Sequence, residues 1–210
     1  MNRRLLPLAP IIALMSSCSD LGSVNFRYTV EVSTPDGLRS GSSVMNIHGY
    51  NIPVHENIDG GQKIYLTGDV PFVDLPNGIT LFALVSGQSG NSGPLHTLIW
   101  SQRPLHSLGD PKTAISDLKA RPVCKLVEPK KHPDLIYFSD INNRKSVKRL
   151  SSEELKNEFG GVYKIRRAYV CTTSDKPQKS IDKKIPWMDD VDQFDPVNTE
   201  LANLRYGGRN

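Results

Sequence analysis

The sequence predicts an α+β fold: a single domain, mainly antiparallel sheet, with two short helices. Three observations carry this. Apolar and polar residues alternate from Asn25 onward, tight-turn sequences such as TPDG and LPNG separate the alternating runs, and helix-capping patterns occur only in two short stretches of the second half. An apolar content of 38% with 23% charged residues is that of a globular chain and argues against disorder.

Asn25 to Ser33 is the cleanest strand, with Phe26, Tyr28, Val30 and Val32 alternating with Arg27, Thr29, Glu31 and Ser33. Pro35, Asp36 and Gly37 then reverse the chain into a second extended stretch, Arg39 to Tyr50. Its Ser40, Gly41, Ser42 and Ser43 predict a loose or bulged segment. Lys63 to Thr67 and Val70 to Asp74 read as short strands. The LPNGI turn leads into Thr80 to Val85, which is apolar on both faces and so belongs in the middle of a sheet. His96 to Trp100 is expected to add a strand. Asp110 before Pro111 is an N-cap with proline in the first turn, opening a helix with Ile115 and Leu118 on one stripe. Leu135 to Phe138 reads as a strand. Ser151 with Glu154 forms a capping box, and Gly160 closes the helix that follows; Gly161 to Thr173 is then extended.

The N-terminus points to a compartment. Arg3 and Arg4, an apolar run from Leu5 to Met15, and Ser16 and Ser17 directly before Cys18 have the layout of a secretory signal. The run is shorter than the roughly 20 helical residues that span a bilayer, and Pro7 and Pro10 interrupt it. A cysteine directly after small residues resembles the lipobox of bacterial lipoproteins, in which that thiol is acylated and becomes the mature N-terminus. The expected organisation is a signal peptide at 1–17, a lipid-anchored linker at 18–24, a domain at 25–188 and a poorly ordered polar tail at 189–210. By analogy with Gram-negative sorting, Ser19 favours the outer membrane over the inner, facing the periplasm. A soluble secreted form is the alternative.

With Cys18 given to lipid, Cys124 and Cys171 remain as an even pair in an oxidising compartment and are expected to be bridged. Closing a loop of about 47 residues stabilises by roughly 3 to 4 kcal/mol in the chain-entropy model. The alternative is two buried free thiols. Neither CxxC spacing nor paired histidines supports a metal, and no cofactor is expected.

The net charge of +4 is unevenly laid out: −2 up to Asp110, +9 from Pro111 to Ile185 and −3 beyond. Lys130, Lys131, Arg144, Lys145, Lys148, Arg149, Arg166 and Arg167 are candidate contacts for an anionic envelope component or an acidic protein partner. A solvated basic surface without a ligand is the plainer reading. No nucleic-acid partner is expected.

Catalytic chemistry is thinly represented. The Gly/Ser loop SGQSGNSG at 86–93 approaches a nucleophile elbow, but Asn91 stands where the second glycine belongs and Pro94 follows. Ser89 or Ser92 with a histidine such as His96 would make an envelope serine hydrolase, the alternative to a binding or scaffolding role without catalysis. A prophage or secretion accessory protein is a further alternative. No phosphate-binding loop is present, His48, His55, His96, His106 and His132 are scattered, and Asp189 and Asp190 fall in the polar tail.

At RYTVEVSTPDGLRSGSSV (27–44), LPNGITLFALVSG (75–87), EFGGVYKIRRAYVCTT (158–173) and KKIPWM (183–188), the chain resembles a family of uncharacterised Gram-negative bacterial envelope proteins of the lipoprotein kind. The resemblance covers most of the chain after Cys18, with the first and third blocks the most specific. It implies that these blocks belong to one domain, and brings no activity, ligand or catalytic residue.

Overall fold

A computed structural model of the chain describes residues 19–52, 61–85, 93–99, 110–188, 201 and 204–206. Among them the protein is α+β, with two mainly antiparallel sheets around one core. Strands β1 (Ser19–Thr34) and β2 (Gly37–Ile52), 16 residues each, form a hairpin that is the spine of the molecule. Its turn is the Pro35–Asp36 pair read from the sequence, closed by Gly37 at φ 106° and by the Thr34 hydroxyl donating to Gly37 O at 2.7 Å. Strand β3 (Gly61–Asp69) pairs with β2, and β9 (Lys164–Thr173) pairs with β1. The edges are β6 (Cys124–Leu126) beside β9 and the short β10 (Arg205–Tyr206) beside β3. The six-stranded order is therefore β10-β3-β2-β1-β9-β6.

One face of this sheet builds the core. Val24, Phe26, Tyr28, Val30 and Val32 of β1, Met45 and Ile47 of β2, and Ile165, Ala168 and Val170 of β9 are all buried, as the period of two requires. Against this face packs the second sheet, β4 (Phe72–Asp74), β5 (Thr80–Ala83), β7 (Leu135–Phe138) and β8 (Val147–Leu150), in that order. Strand β5 is internal, in keeping with its two apolar faces. The sheets meet at Gly41, where a Cβ would stand 1.7 Å from Phe72 O. Its partner across the ladder is Val30, with no register shift there. The glycine expected to loosen β2 is thus the point at which β4 crosses it in backbone contact.

The helices follow the capping signals with one addition. In α2 (Pro111–Ala120), the Asp110 carboxylate accepts from Lys112 N, and Ala114, Ile115 and Leu118 are buried. Before α3 (Glu154–Phe159), Ser151 N donates to Glu154 Oε2 at 2.8 Å and Glu154 N to Ser151 Oγ at 3.2 Å, the reciprocal capping box. Where a strand was expected at His96–Trp100, the chain forms helix α1 (Gly93–Ile99), with Thr97 Oγ1 donating to Gly93 O. The run PLHTLI satisfies both periods, but only a helix places Pro94, Thr97 and Leu98 together against the core.

Two boundaries also move. Residues expected as a linker are already sheet: Ser19 pairs with Asn51 and Val24 is in the core. The C-terminal region expected to be a polar tail contributes buried Leu201 and Leu204, and Leu204 O accepts from Val70 N at 3.0 Å. Residues 189–200, 202–203 and 207–210 of that tail lie outside the described residues. Trp187 anchors the preceding segment: its Nε1 donates to Ile141 O at 2.8 Å, and its ring stands edge-on to Phe138 with centroids 5.6 Å apart.

Candidate functional site

Position 18 itself lies outside the described residues, and β1 begins with the next residue, Ser19. Strand β1 bulges between Asp20 and Gly22, which has φ 100°, and turns Asp20 toward the open face. There the Asp20 carboxylate accepts from Gly22 N at 2.6 Å and lies 3.0 Å from His48 Nε2. The Gly22 amide, then His48 and Lys119, hold that carboxyl below its ordinary range. His48 stacks on Tyr50 at 4.0 Å, and Tyr50 meets Tyr65 edge-on at 5.2 Å. On the opposite side of the same strand ends, α2 lies across the sheet. Gln62 Oε1 faces Lys112 N at 3.4 Å, a Cβ at Gly49 would stand 2.8 Å from Ile115 Cδ1, and one at Gly22 would stand 3.1 Å from Lys119 Nζ.

Cys124 and Cys171 face each other across β6 and β9 with their sulfurs at bonding distance. Thr172 N donates to Val123 O and Val127 N to Ala168 O, so the cysteines occupy a non-hydrogen-bonded pair, where cross-strand side chains approach most closely. The pair lies toward solvent, on the face that also carries Arg27 and Tyr169.

The basic residues singled out in the sequence are not gathered into one surface. Lys130 and Lys131 pair with Glu128 at 3.2 and 3.1 Å. Arg144 lies over the Trp187 ring at 5.0 Å. Lys148 pairs with Glu158 at 3.0 Å and sits above Tyr137, whose hydroxyl donates to the same carboxylate. Arg149 grips the buried Asp134 through Nε at 2.9 Å and Nη2 at 2.7 Å. Arg167 pairs with Glu31 at 2.7 Å on the other sheet, while Lys145 and Arg166 have no ion pair among the described residues. Six of these eight cations therefore have partners within the chain.

Of the catalytic candidates, Ser89 and Ser92 lie outside the described residues. His96 lies on α1, where burial and then Lys131 push its imidazole down, and its Nδ1 has no hydrogen-bond partner among the described residues. Burial and Glu158 raise the Tyr137 phenol, so that hydroxyl is a donor at neutral pH and not a base. His55, His106, Asp189 and Asp190 lie outside the described residues. Among the described residues no three His, Cys, Asp or Glu side chains could share a metal ion, and no helix is long and apolar enough to cross a membrane. A groove of about 450 Å³ runs between β1 and the end of α2, lined by Ser23, Asn25, Leu118, Lys119 and Thr173.

Comparison with family models, with curated proteins and with solved structures finds no match to this chain. The Asp20, His48 and Tyr50 cluster escaped sequence reasoning because its members are 28 and 30 residues apart and meet only through a bulge. The outer stripe of α2 had a legible signal: Lys112, Ser116 and Lys119, two of them cations, recur at helical spacing.

Proposed function

We propose that the chain is a lipid-anchored protein of the Gram-negative cell envelope, facing the periplasm, with a binding or scaffolding role and no catalysis. Cys18 is the acylated residue, and Ser19 favours the outer membrane. The observation that carries this reading is the junction: the lipobox-like LMSSC runs without interval into β1, whose first residue already pairs with Asn51. A signal cleaved before Cys18 would leave the domain's first strand complete and its first residue at the membrane. The role as a binder draws on the open face of the six-stranded sheet, where Tyr65 and Leu126 are 49% and 59% exposed on a polar, partly basic surface. An anionic envelope component or an acidic protein partner would suit that surface.

Fractionation of cells expressing the full chain tests the anchor. The wild-type protein is expected in the membrane fraction, and Cys18→Ser in the soluble periplasmic fraction. A Cys18→Ser variant that stayed in the membrane fraction would contradict the reading.

A further inference from the structure

We propose that the outer surface of α2 is a membrane-docking face: Lys112, Ser116 and Lys119, flanked by Arg121, rest on anionic lipid headgroups, so that the domain stands on the bilayer by this end. The inference rests on acylation of Cys18 and adds an orientation to it. Two observations point to it.

The first is the absence of slack. Consecutive Cα atoms are about 3.8 Å apart, so a strand that begins at Ser19 is held within one residue of the anchored cysteine. The strand ends that receive this residue are the ones α2 crosses, and Lys119 reaches Gly22, three residues into β1. Tethering this close raises the local concentration of headgroups around α2 without any further contact.

The second is charge. Lys112, Lys119 and Arg121 are solvent-exposed, and none is in an ion pair among the described residues. The acidic groups beside them are occupied. Asp20 is held by Gly22 N and His48, with the charge of Lys119 a lesser influence on it, and Asp110 caps α2 through Lys112 N and the Thr113 hydroxyl. Cations left free next to an anchor attract a negatively charged leaflet, as juxtamembrane basic clusters do.

Tryptophan substitution at an exposed position reads the orientation directly. Ser116→Trp places a fluorophore on the outer stripe of α2. Leu38→Trp places one beside the β1–β2 turn, at the far end of a 16-residue strand and therefore about 50 Å away. The full-length acylated proteins are reconstituted in phosphatidylglycerol vesicles whose acyl chains are brominated near the carbonyl end, with the emission of the unsubstituted protein subtracted. Intact mass first establishes that Cys18 is acylated; an unacylated mature protein overturns the anchor and the docking face together. With the acyl groups present, the tryptophan of Ser116→Trp is expected to lose about half its emission to bromine while that of Leu38→Trp is unaffected. Equal quenching at the two positions, or none at Ser116→Trp, overturns the docking face and leaves the anchor standing. Quenching at Ser116→Trp that persists unchanged in phosphatidylcholine vesicles overturns the role of the cations.

Discussion

Arg149 shows how a residue type can be read correctly and its task misread. In the sequence it belongs to a basic cluster; in the fold its guanidinium is the counter-charge of Asp134, whose side chain is 4% exposed. The Asp134 carbonyl also accepts from Leu84 N, so the pair ties β7 and β8 to the end of β5. Removing the cation would strand a buried carboxylate, and Arg149→Met is expected to cost about 3 kcal/mol in urea unfolding. Lys145→Gln, at an exposed lysine without an ion pair among the described residues, should leave stability unchanged within about 0.5 kcal/mol. His132 makes the pH dependence concrete. Burial lowers its pKa in the folded state, so the unfolded chain takes up the proton first as pH falls through the ordinary value of 6.5. Stability is therefore full above about pH 6.5 and declines below it. His132→Gln should flatten the decline between about pH 6.5 and 5 measured by thermal unfolding; an equally steep decline in the variant would assign it to other groups, His96 among them.

At the level of elements, the legible parts were those with local rules. The Pro35–Asp36 turn, the Asp110 cap and the Ser151–Glu154 box each depend on residues within four positions, and each forms the bonds its pattern calls for. Strand β5 was legible as internal because both its faces are apolar. Helix α1 was misread because a seven-residue apolar run carries too few residues to separate a period of two from one of 3.6. Gly41 was misread for a different reason: what it accommodates is Phe72 O, 31 residues away, and no local pattern reports a crossing of sheets. Gly41→Ala would drive a methyl carbon into that carbonyl, so β4 must shift. We expect a loss of about 1–3 kcal/mol in chemical denaturation. A Gly41→Ala protein as stable as the parent would mean that β4 does not cross β2 at this point.

For the whole molecule, the α+β class was legible and its extent was not. The spine hairpin reaches back to Ser19 because residues 19–24 pair with β2 despite their mixed polarity, and the chain returns near its end to bury Leu201 and Leu204. Both are long-range pairings, which local composition does not report. The candidate site divides the same way. Cys18 and the Cys124–Cys171 pair were visible as residue types in a stated layout, whereas the cations of α2 outside any ion pair among the described residues, beside the proposed anchor, emerge only when the partners of the others are counted. Anchor, pairing of the cysteines and orientation form one account, and its foundation is the chemistry of Cys18. The most direct measurement is the intact mass of the membrane-extracted protein, taken with and without reductant. The account expects a chain that begins at Cys18, carries added acyl mass, and gains two hydrogens on reduction as Cys124 and Cys171 separate. A mature chain without acyl mass would contradict it.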